Sequence, residues 1–319
     1  MLPAEFVERL SALVPPPRLA GVLASFAEPK STTFRLNTLH PDWQAGHEAL
    51  AAVGLLSQPV CLTMAGGAAA ALPVFRVAHH QREALTHHAS AAQGQIYIQS
   101  VSSMLAALWL DPQPGDWVLD LAAAPGGKTS LLAQLMANQG RISAVEPVKD
   151  RFFRLQANLQ RLQVQNTRCY LKDGRAIGAL KPASFDRVLL DAPCSSESRF
   201  RSDQPDSMAH WSLRKVAEAA HKQKRLILSA WSALKPGGTL LYCTCSFAPE
   251  ENEAVVAHLL RRHPEASLQP VQPPAGLASQ PGLTDWQGKA YPEALQHSVR
   301  ILPDADVDGF YLARICKTG

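Results

Sequence analysis

From residue 116 onward the chain alternates between short apolar runs and amphipathic stretches, and that alternation leaves few folds open. Residues 116–122, 141–146, 166–171, 185–190 and 239–243 read as strands, the last two as buried ones. Residues 127–137, 148–162 and 213–234 between them, and 250–262 after the fifth, carry helical periodicity. Pro236-Gly237-Gly238 is expected to stop the third helix with turn chemistry. Strands alternating with helices predict an α/β fold built on a parallel, doubly wound sheet. Two later strands, 299–302 and 309–316, are separated only by residues 303–308. A link that short makes a hairpin, so the last strand is predicted to run antiparallel to the others. The expectation is a Rossmann-like sheet of seven strands with its last strand reversed.

The remaining segments constrain less. Residues 264–290, rich in Pro, Gln, Gly and Ala, read as a long surface loop. Near the start, Pro15-Pro16-Pro17 breaks an initial helix, residues 33–39 suit a strand, and 65–72 form a small-residue linker. Residues 1–95 are therefore expected to form a small α+β accessory domain, and 96–319 the sheet domain. Hydrophobic residues make up 46% and charged residues 18%, as in a globular protein, and no apolar run reaches the ~20 residues of a membrane helix. Glu5, Glu8 and Arg9 interrupt the amino-terminal stretch, which lacks the shape of a secretion signal. Cysteines at 61, 169, 194, 243, 245 and 316 include no C-x-x-C pair. That spacing argues against a disulfide framework or a metal site and suits a reducing cytoplasm. The net charge of +4 leans mildly toward polyanionic partners.

The segment Asp120-Leu121-Ala122-Ala123-Ala124-Pro125-Gly126-Gly127-Lys128-Thr129 links the first strand of the sheet to its first helix. Small residues and paired glycines let the backbone approach a ligand, and a helix amino end offers unpaired N–H groups. A P-loop needs a glycine where Ala122 stands, and the nicotinamide fingerprint G-x-G-x-x-G is absent. Glu146 closes the second strand 19 residues after Gly127, where dinucleotide folds hold ribose hydroxyls. Asp173 follows the third strand and suits an adenine amino group. Ligands of a parallel sheet sit outside the carboxyl ends of its strands. An adenosine-bearing ligand without a polyphosphate, S-adenosyl-L-methionine, fits these residues best.

Two cysteines follow strand ends, in Asp191-Ala192-Pro193-Cys194-Ser195 and Thr244-Cys245-Ser246. Methylating carbon 5 of a pyrimidine is hard because that carbon is barely nucleophilic. A thiolate adding at carbon 6 creates an enamine-like ring that attacks a methyl sulfonium; a base then removes the carbon-5 proton and the thiol leaves. The thiolate needs an electropositive, partly exposed setting. Asp191 suits the amidine edge of the ring. On this chemistry alone either Cys194 or Cys245 can be the nucleophile.

The combination resembles the RsmB/RsmF (Sun) family of S-adenosylmethionine-dependent RNA cytosine-5 methyltransferases, most closely its RsmF branch of bacterial ribosomal-RNA enzymes, over residues 92–319. The resemblance rests on the 120–129 segment, Asp191 to Ser195, and Leu234-Lys235-Pro236-Gly237-Gly238-Thr239-Leu240 running to Thr244-Cys245-Ser246. Pro249-Glu250-Glu251-Asn252-Glu253, Gly309-Phe310-Tyr311-Leu312-Ala313-Arg314 and Phe34-Arg35-Leu36-Asn37-Thr38-Leu39 are also similar to family segments. It implies that Ala122, Ala123, Ala124, Pro125, Gly126, Gly127 and Lys128 cradle the cofactor, with Glu146 on the ribose and Asp173 on the adenine. Asp191 would lie between cofactor and base. It further implies Cys245 as nucleophile and Cys194 in product release. Ser196-Glu197-Ser198 stands where relatives carry glycines, and that loop is expected to line the RNA path. Ala122 replaces a cysteine of many relatives. The chain ends at Gly319 without the carboxyl-terminal extension of RsmF enzymes, so recognition is expected to lean on residues before 95 or on RNA structure.

Lesser signals remain. Cys243 shares a strand face with Cys245 and reads as core, as do Cys61, Cys169 and Cys316. His79-His80 and His87-His88 lack supporting ligand spacing and read as surface. The basic stretch His221 to Arg225, with Arg199, Arg201 and Lys215, suits either solvent or RNA phosphates. Phe200 and Trp211 suit an unpaired base, Trp211 alternatively the core. The leading expectation is a monomeric ribosomal-RNA cytosine-5 methyltransferase making 5-methylcytidine on an exposed base. A transfer-RNA or DNA cytosine enzyme and a non-catalytic RNA-binding assembly factor are the alternatives.

Overall fold

The computed structural model describes residues 1–55, 57–62 and 72–318. Helices α1 (Ala4–Leu13) and α2 (Pro16–Ala24) come first, joined at Pro15, the prolines suiting a helix start. Strand β1 (Thr32–Leu36), helix α3 (Trp43–Ala52), strands β2 (Gln58–Pro59) and β3 (Val74–Val77), helices α4 (Arg82–His87) and α5 (Ala89–Ala92) and strand β4 (Ile96–Ile98) follow. Their strands form an antiparallel sheet in the order β2-β3-β1-β4. Thus the small sheet runs on to residue 98. The 65–71 part of the expected linker lies outside the described residues.

Helix α6 (Val101–Leu110) leads into the main sheet. Its elements are β5 (Trp117–Asp120), α7 (Gly127–Leu135), β6 (Arg141–Val145), α8 (Lys149–Arg161), β7 (Thr167–Tyr170), α9 (Ile177–Leu180), β8 (Phe185–Asp191), α10 (Leu213–Ala233), β9 (Leu234–Thr244) and α11 (Glu253–Leu260). Short strands β10 (Ala266–Gln269), β11 (Ser279–Pro281), β12 (Asp285–Trp286) and β13 (Lys289–Ala290) precede β14 (Val299–Ile301) and β15 (Phe310–Lys317). The main order is β11-β14-β15-β9-β8-β5-β6-β7, with β10 on the far part of β15. All seven predicted strands lie in this sheet. The β14–β15 hairpin forms, and β15 runs antiparallel to β9.

Two expectations are corrected. Residues 264–290 are not a featureless loop: β10 and β11 extend the sheet to nine strands, and Trp286 is buried. These edge strands of three or four residues are set by pairing with β15 and β14, which hydrophobic alternation does not register. Pro236-Gly237-Gly238 does not separate helix from strand either. Pairing begins at Leu234 against Phe185 and resumes at Thr239 against Arg187, so the triplet is an irregularity inside β9.

Apolar layers fill both faces of the sheet, one around Val188, Leu240, Trp231 and Tyr242, the other around Met104, Leu132, Leu189 and Leu241. The small sheet is fastened to this body by Arg35. Its fully buried guanidinium donates to Gln99 Oε1 at 3.0 Å, to Gln134 Oε1, and to Ser130 Oγ at 2.7 Å. No carboxylate pairs with it among the described residues, and burial lowers its pKa to about 10. Asn37 reaches Gly94 O at 2.8 Å and Leu162 O at 3.0 Å. The Arg-Leu-Asn segment therefore clamps β1 against α7 and the end of α8. Helices α1 and α2 pack Phe6, Leu10 and Phe26 against Phe200, Phe247 and Trp286.

Candidate active site

A cavity of about 770 Å³ opens at the carboxyl ends of the central strands, where the strand-end rule places ligands. It is lined by Ala122, Ala123, Ala124, Pro125, Gly127, Lys128, Glu146, Asp173, Asp191, Cys194 and Cys245. Gly126 is the exception among the predicted residues. It is the N-cap of α7 at φ +106°, and a side chain there would meet Leu155, behind the loop. Glycine is required there by backbone conformation. A Cβ on Gly127 would lie 3.0 Å from the Tyr97 ring, so the cradle is narrowed by a residue of the small sheet.

Glu146 is buried, 1% exposed, and accepts from Val148 N at 2.9 Å. Asp173 is half exposed and faces Arg175, whose Nε lies 3.0 Å from both carboxylate oxygens. That hydrogen bond holds the Asp173 carboxyl below its ordinary range. Asp120, passed over as a site residue in the sequence, also lines the cavity. Its Oδ2 accepts from Thr129 Oγ1 at 2.7 Å, while its buried Oδ1 has no partner. Burial raises its pKa to about 6.

Strands β8 and β9 pair with Asp191 opposite Cys243, so the segments that follow them lie side by side. Their two thiols stand 3.3 Å apart, Cys194 Sγ to Cys245 Sγ, both free. The hydrogen bond from Cys194 is the largest reason the Cys245 pKa falls to about 7; burial opposes it and the Arg199 guanidinium adds to it. The same contact, with burial, pushes Cys194 well above an ordinary thiol. The contact therefore makes Cys245 the more acidic thiol of the pair, with Cys194 as its hydrogen-bond donor. Lys128 Nζ donates to Asp191 Oδ2 at 2.7 Å, and the buried Cys243 thiol lies 3.6 Å from Oδ1. Burial works against the charge of Lys128, but Asp191 beside it raises its pKa overall.

Two buried glutamates hold this arrangement and were not singled out in the sequence. Glu197 accepts from Phe247 N at 2.7 Å, Ala248 N at 3.0 Å, Ser246 Oγ at 3.0 Å and Trp211 Nε1 at 2.9 Å. Glu251 accepts from Ser195 N at 3.0 Å, Ser246 Oγ at 2.8 Å and Gln223 Nε2 at 2.9 Å. Burial raises the Glu251 pKa to about 7. Asn252 accepts from Thr244 Oγ1 at 2.5 Å and donates to Ser246 O at 2.8 Å. Glu253 pairs with buried Arg300, and Glu250 with Arg9 at 2.6 Å. The Pro-Glu-Glu-Asn-Glu segment is thus the scaffold of the Cys245 loop. Ser196 adopts φ +59°, a left-handed conformation that glycine takes without strain.

Of the expected RNA contacts, Ser196, Ser198, Arg199 and Lys222 line the cavity. Phe200 does not face it: the ring is buried against Phe6 at 5.0 Å between centroids, because it anchors α1. Arg201 is engaged by Asp203 and by the Glu28 carbonyl, and Lys215 by Glu218. Gln223 is buried. No helix among the described residues is long and apolar enough to cross a membrane.

A family model described as 16S rRNA methyltransferase RsmB/F matches residues 107–316. The chain is 44% identical over 225 residues to the tRNA (cytosine(49)-C(5))-methyltransferase of Pyrococcus abyssi, covering 70% of this chain and 71% of that one. It is 38% identical to the ribosomal RNA small subunit methyltransferase F of Cronobacter sakazakii, covering 99% of this chain but only 63% of the relative. The chain thus spans less than two thirds of that protein's length. A solved methyltransferase homologue from Pyrococcus horikoshii superposes with a TM-score of 0.78 at 32% identity, covering 99% of this chain and 100% of that one.

Proposed function

The chain belongs to the RsmB/F family of 16S rRNA methyltransferases, and from that premise we propose that it methylates carbon 5 of a cytosine in RNA through a covalent bond from Cys245. The observation that carries this reading is the thiol pair: Cys194 and Cys245, 3.3 Å apart, line the same cavity as the glycine cradle and Glu146. Ribosomal RNA is the favoured substrate, because the relative matching 99% of the chain is a ribosomal-RNA enzyme, while the transfer-RNA enzyme matches 70%.

The cradle suits S-adenosylmethionine. Its wall carries an unpartnered buried oxygen on Asp120 and a buried carboxylate on Glu146. Ala122 to Pro125, Gly127 and Lys128 would hold the cofactor with Glu146 and Asp173, Gly126 setting the turn. When bound, this group supplies an electrophilic methyl for carbon 5. Asp173 takes the adenine only when Arg175 gives up its hold on the carboxylate.

The residues divide the work as follows. Cys245, ionised near neutral pH, adds to carbon 6 of the ring. Arg199 and the Cys194 thiol stabilise the sulfur anion before attack. Asp191, fixed by Lys128, accepts a hydrogen bond from the amidine edge and favours its protonated form during addition. Once the Cys245 sulfur is bonded to carbon, Cys194 no longer faces an anion. Its own acidity then rises beside Arg199; once its proton has passed to solvent, the Cys194 thiolate can take the carbon-5 proton, and the electrons of that C–H bond re-form the carbon 5–carbon 6 double bond as the Cys245 sulfur leaves as a thiolate. Incubating the protein and labelled S-adenosylmethionine with total RNA from cells lacking the gene, then mapping 5-methylcytidine, tests the reading. One or a few labelled cytidines are expected. Label elsewhere than carbon 5 of cytosine overturns it.

A further inference from the structure

Behind the Pro193–Cys194 turn lies a second recess of about 330 Å³, which shares Pro193, Cys194 and Lys222 with the main cavity. We propose that it receives an unpaired nucleobase neighbouring the target cytidine on the same RNA strand, stacked on Trp211. The proposal rests on the RNA cytosine-5 reading, which supplies the strand.

Three observations converge on this occupant. The first is position. A strand that delivers one base to Cys245 must carry the adjoining bases past the same wall, and the recess opens across that wall. Next is the platform. Trp211 is fixed by its Nε1 bond of 2.9 Å to buried Glu197 and by edge contacts to Phe6 and Phe200, yet it stays half exposed and lines the recess. An immobilised indole costs little ordering on binding, and every base offers it a face. Last is charge. Lys222 sits where the two spaces join, with no carboxylate within salt-bridge distance among the described residues, and suits the phosphate between the two nucleotides. Ala219 of α10 lines the same recess with a small side chain.

Coupled substitutions in protein and RNA test this. The RNA is an oligoribonucleotide spanning the mapped cytidine, with the nucleotide on its 5′ or its 3′ side replaced by an abasic one. For the unaltered protein, one of the two replacements is expected to lower kcat/KM about tenfold or more. Ala219→Leu, which fills the recess and keeps the helix, is expected to lower kcat/KM similarly on intact RNA and to lose nothing further on the abasic one. Trp211→Phe keeps a ring face but loses the Nε1 bond to Glu197, and its kcat/KM on intact RNA should fall less than that of Ala219→Leu. Binding of S-adenosylhomocysteine and the thermal midpoint should be unchanged in Ala219→Leu. Insensitivity to both abasic replacements, or undiminished sensitivity in Ala219→Leu, overturns the recess while the methylation reading stands. If no cytidine is labelled at all, the methylation reading fails, and the recess loses its occupant with it.

Discussion

Replacing Cys194 with alanine should shift the titration of Cys245 upward in the free protein, without any RNA. The Cys194 thiol is the nearest donor to the Cys245 sulfur, and their hydrogen bond contributes most to lowering that pKa from 9.0 to about 7. At pH 7 a thiol with pKa 7 is about half ionised, against about 1% for one with pKa 9. Loss of the whole effect would thus slow thiolate alkylation by about 50-fold at pH 7. Arg199 and Ser196 remain in the variant and keep part of the effect, so a loss on the order of tenfold is expected. The assay is the rate of iodoacetamide modification at Cys245, read by peptide mass across the neutral and alkaline range. The unaltered protein should show a midpoint near 7, with reactivity rising as pH increases toward it and levelling above. Cys194→Ala should move the midpoint toward that of an ordinary cysteine, and Arg199→Gln should move it in the same direction by less. An unchanged midpoint in Cys194→Ala would refute the donor–anion assignment, as would a midpoint near 9 in the unaltered protein.

Other consequences follow from the same contacts. With unmodified RNA, Cys194→Ala should accumulate a denaturation-resistant protein–RNA complex while turnover falls by about 10²-fold or more; clean turnover would contradict its part in release. Glu197→Ala leaves Phe247 N and Trp211 Nε1 without their acceptor, while Ala248 N and Ser246 Oγ keep a second one, and should cost roughly 2–5 kcal/mol in denaturant unfolding, with less than about 1 kcal/mol refuting the scaffold role. Glu251 has a folded pKa of about 7, above its ordinary 4.5. Its protonation therefore contributes stability that is present below 4.5 and lost as pH rises through about 7. Glu251→Gln should flatten that part of the unfolding profile, and an unaltered slope would count against the shift.

The legibility of this chain divides along physical lines. Every strand of the parallel core was readable, the central ones because burial on both faces makes each a short apolar run between turn residues, the half-exposed edge strand β7 from its place in the strand–helix alternation. The cysteines, Asp191, Glu146 and Asp173 were readable because a fixed topology puts strand ends at one edge. What stayed hidden depends on partners distant in sequence. Arg35, Glu197 and Glu251 are charged residues that composition assigns to the surface, and only hydrogen-bond partners distant in sequence, acceptors for Arg35 and donors for the glutamates, make their burial tolerable. Their positions within Phe-Arg-Leu-Asn, two residues after Pro-Cys-Ser, and within Pro-Glu-Glu-Asn-Glu were the available signal. The burial of Phe200 was hidden for the converse reason. An aromatic next to a catalytic turn suits a base equally well, and the packing of α1 against it could not be seen in the sequence. Asp120 was hidden among its own motif, since nothing local distinguishes an acid that ends a strand from one left unpaired at a cavity wall.

The most direct test of the account replaces the target cytosine with 5-fluorocytosine, whose carbon-5 substituent cannot be removed as a proton. With S-adenosylmethionine and such RNA, the unaltered protein should form a complex stable to denaturation, joined through the peptide that contains Cys245. Cys245→Ala should form none. A complex that persists in Cys245→Ala, or methylation by the unaltered protein with no such complex, would contradict the claim that this sulfur bonds to the ring.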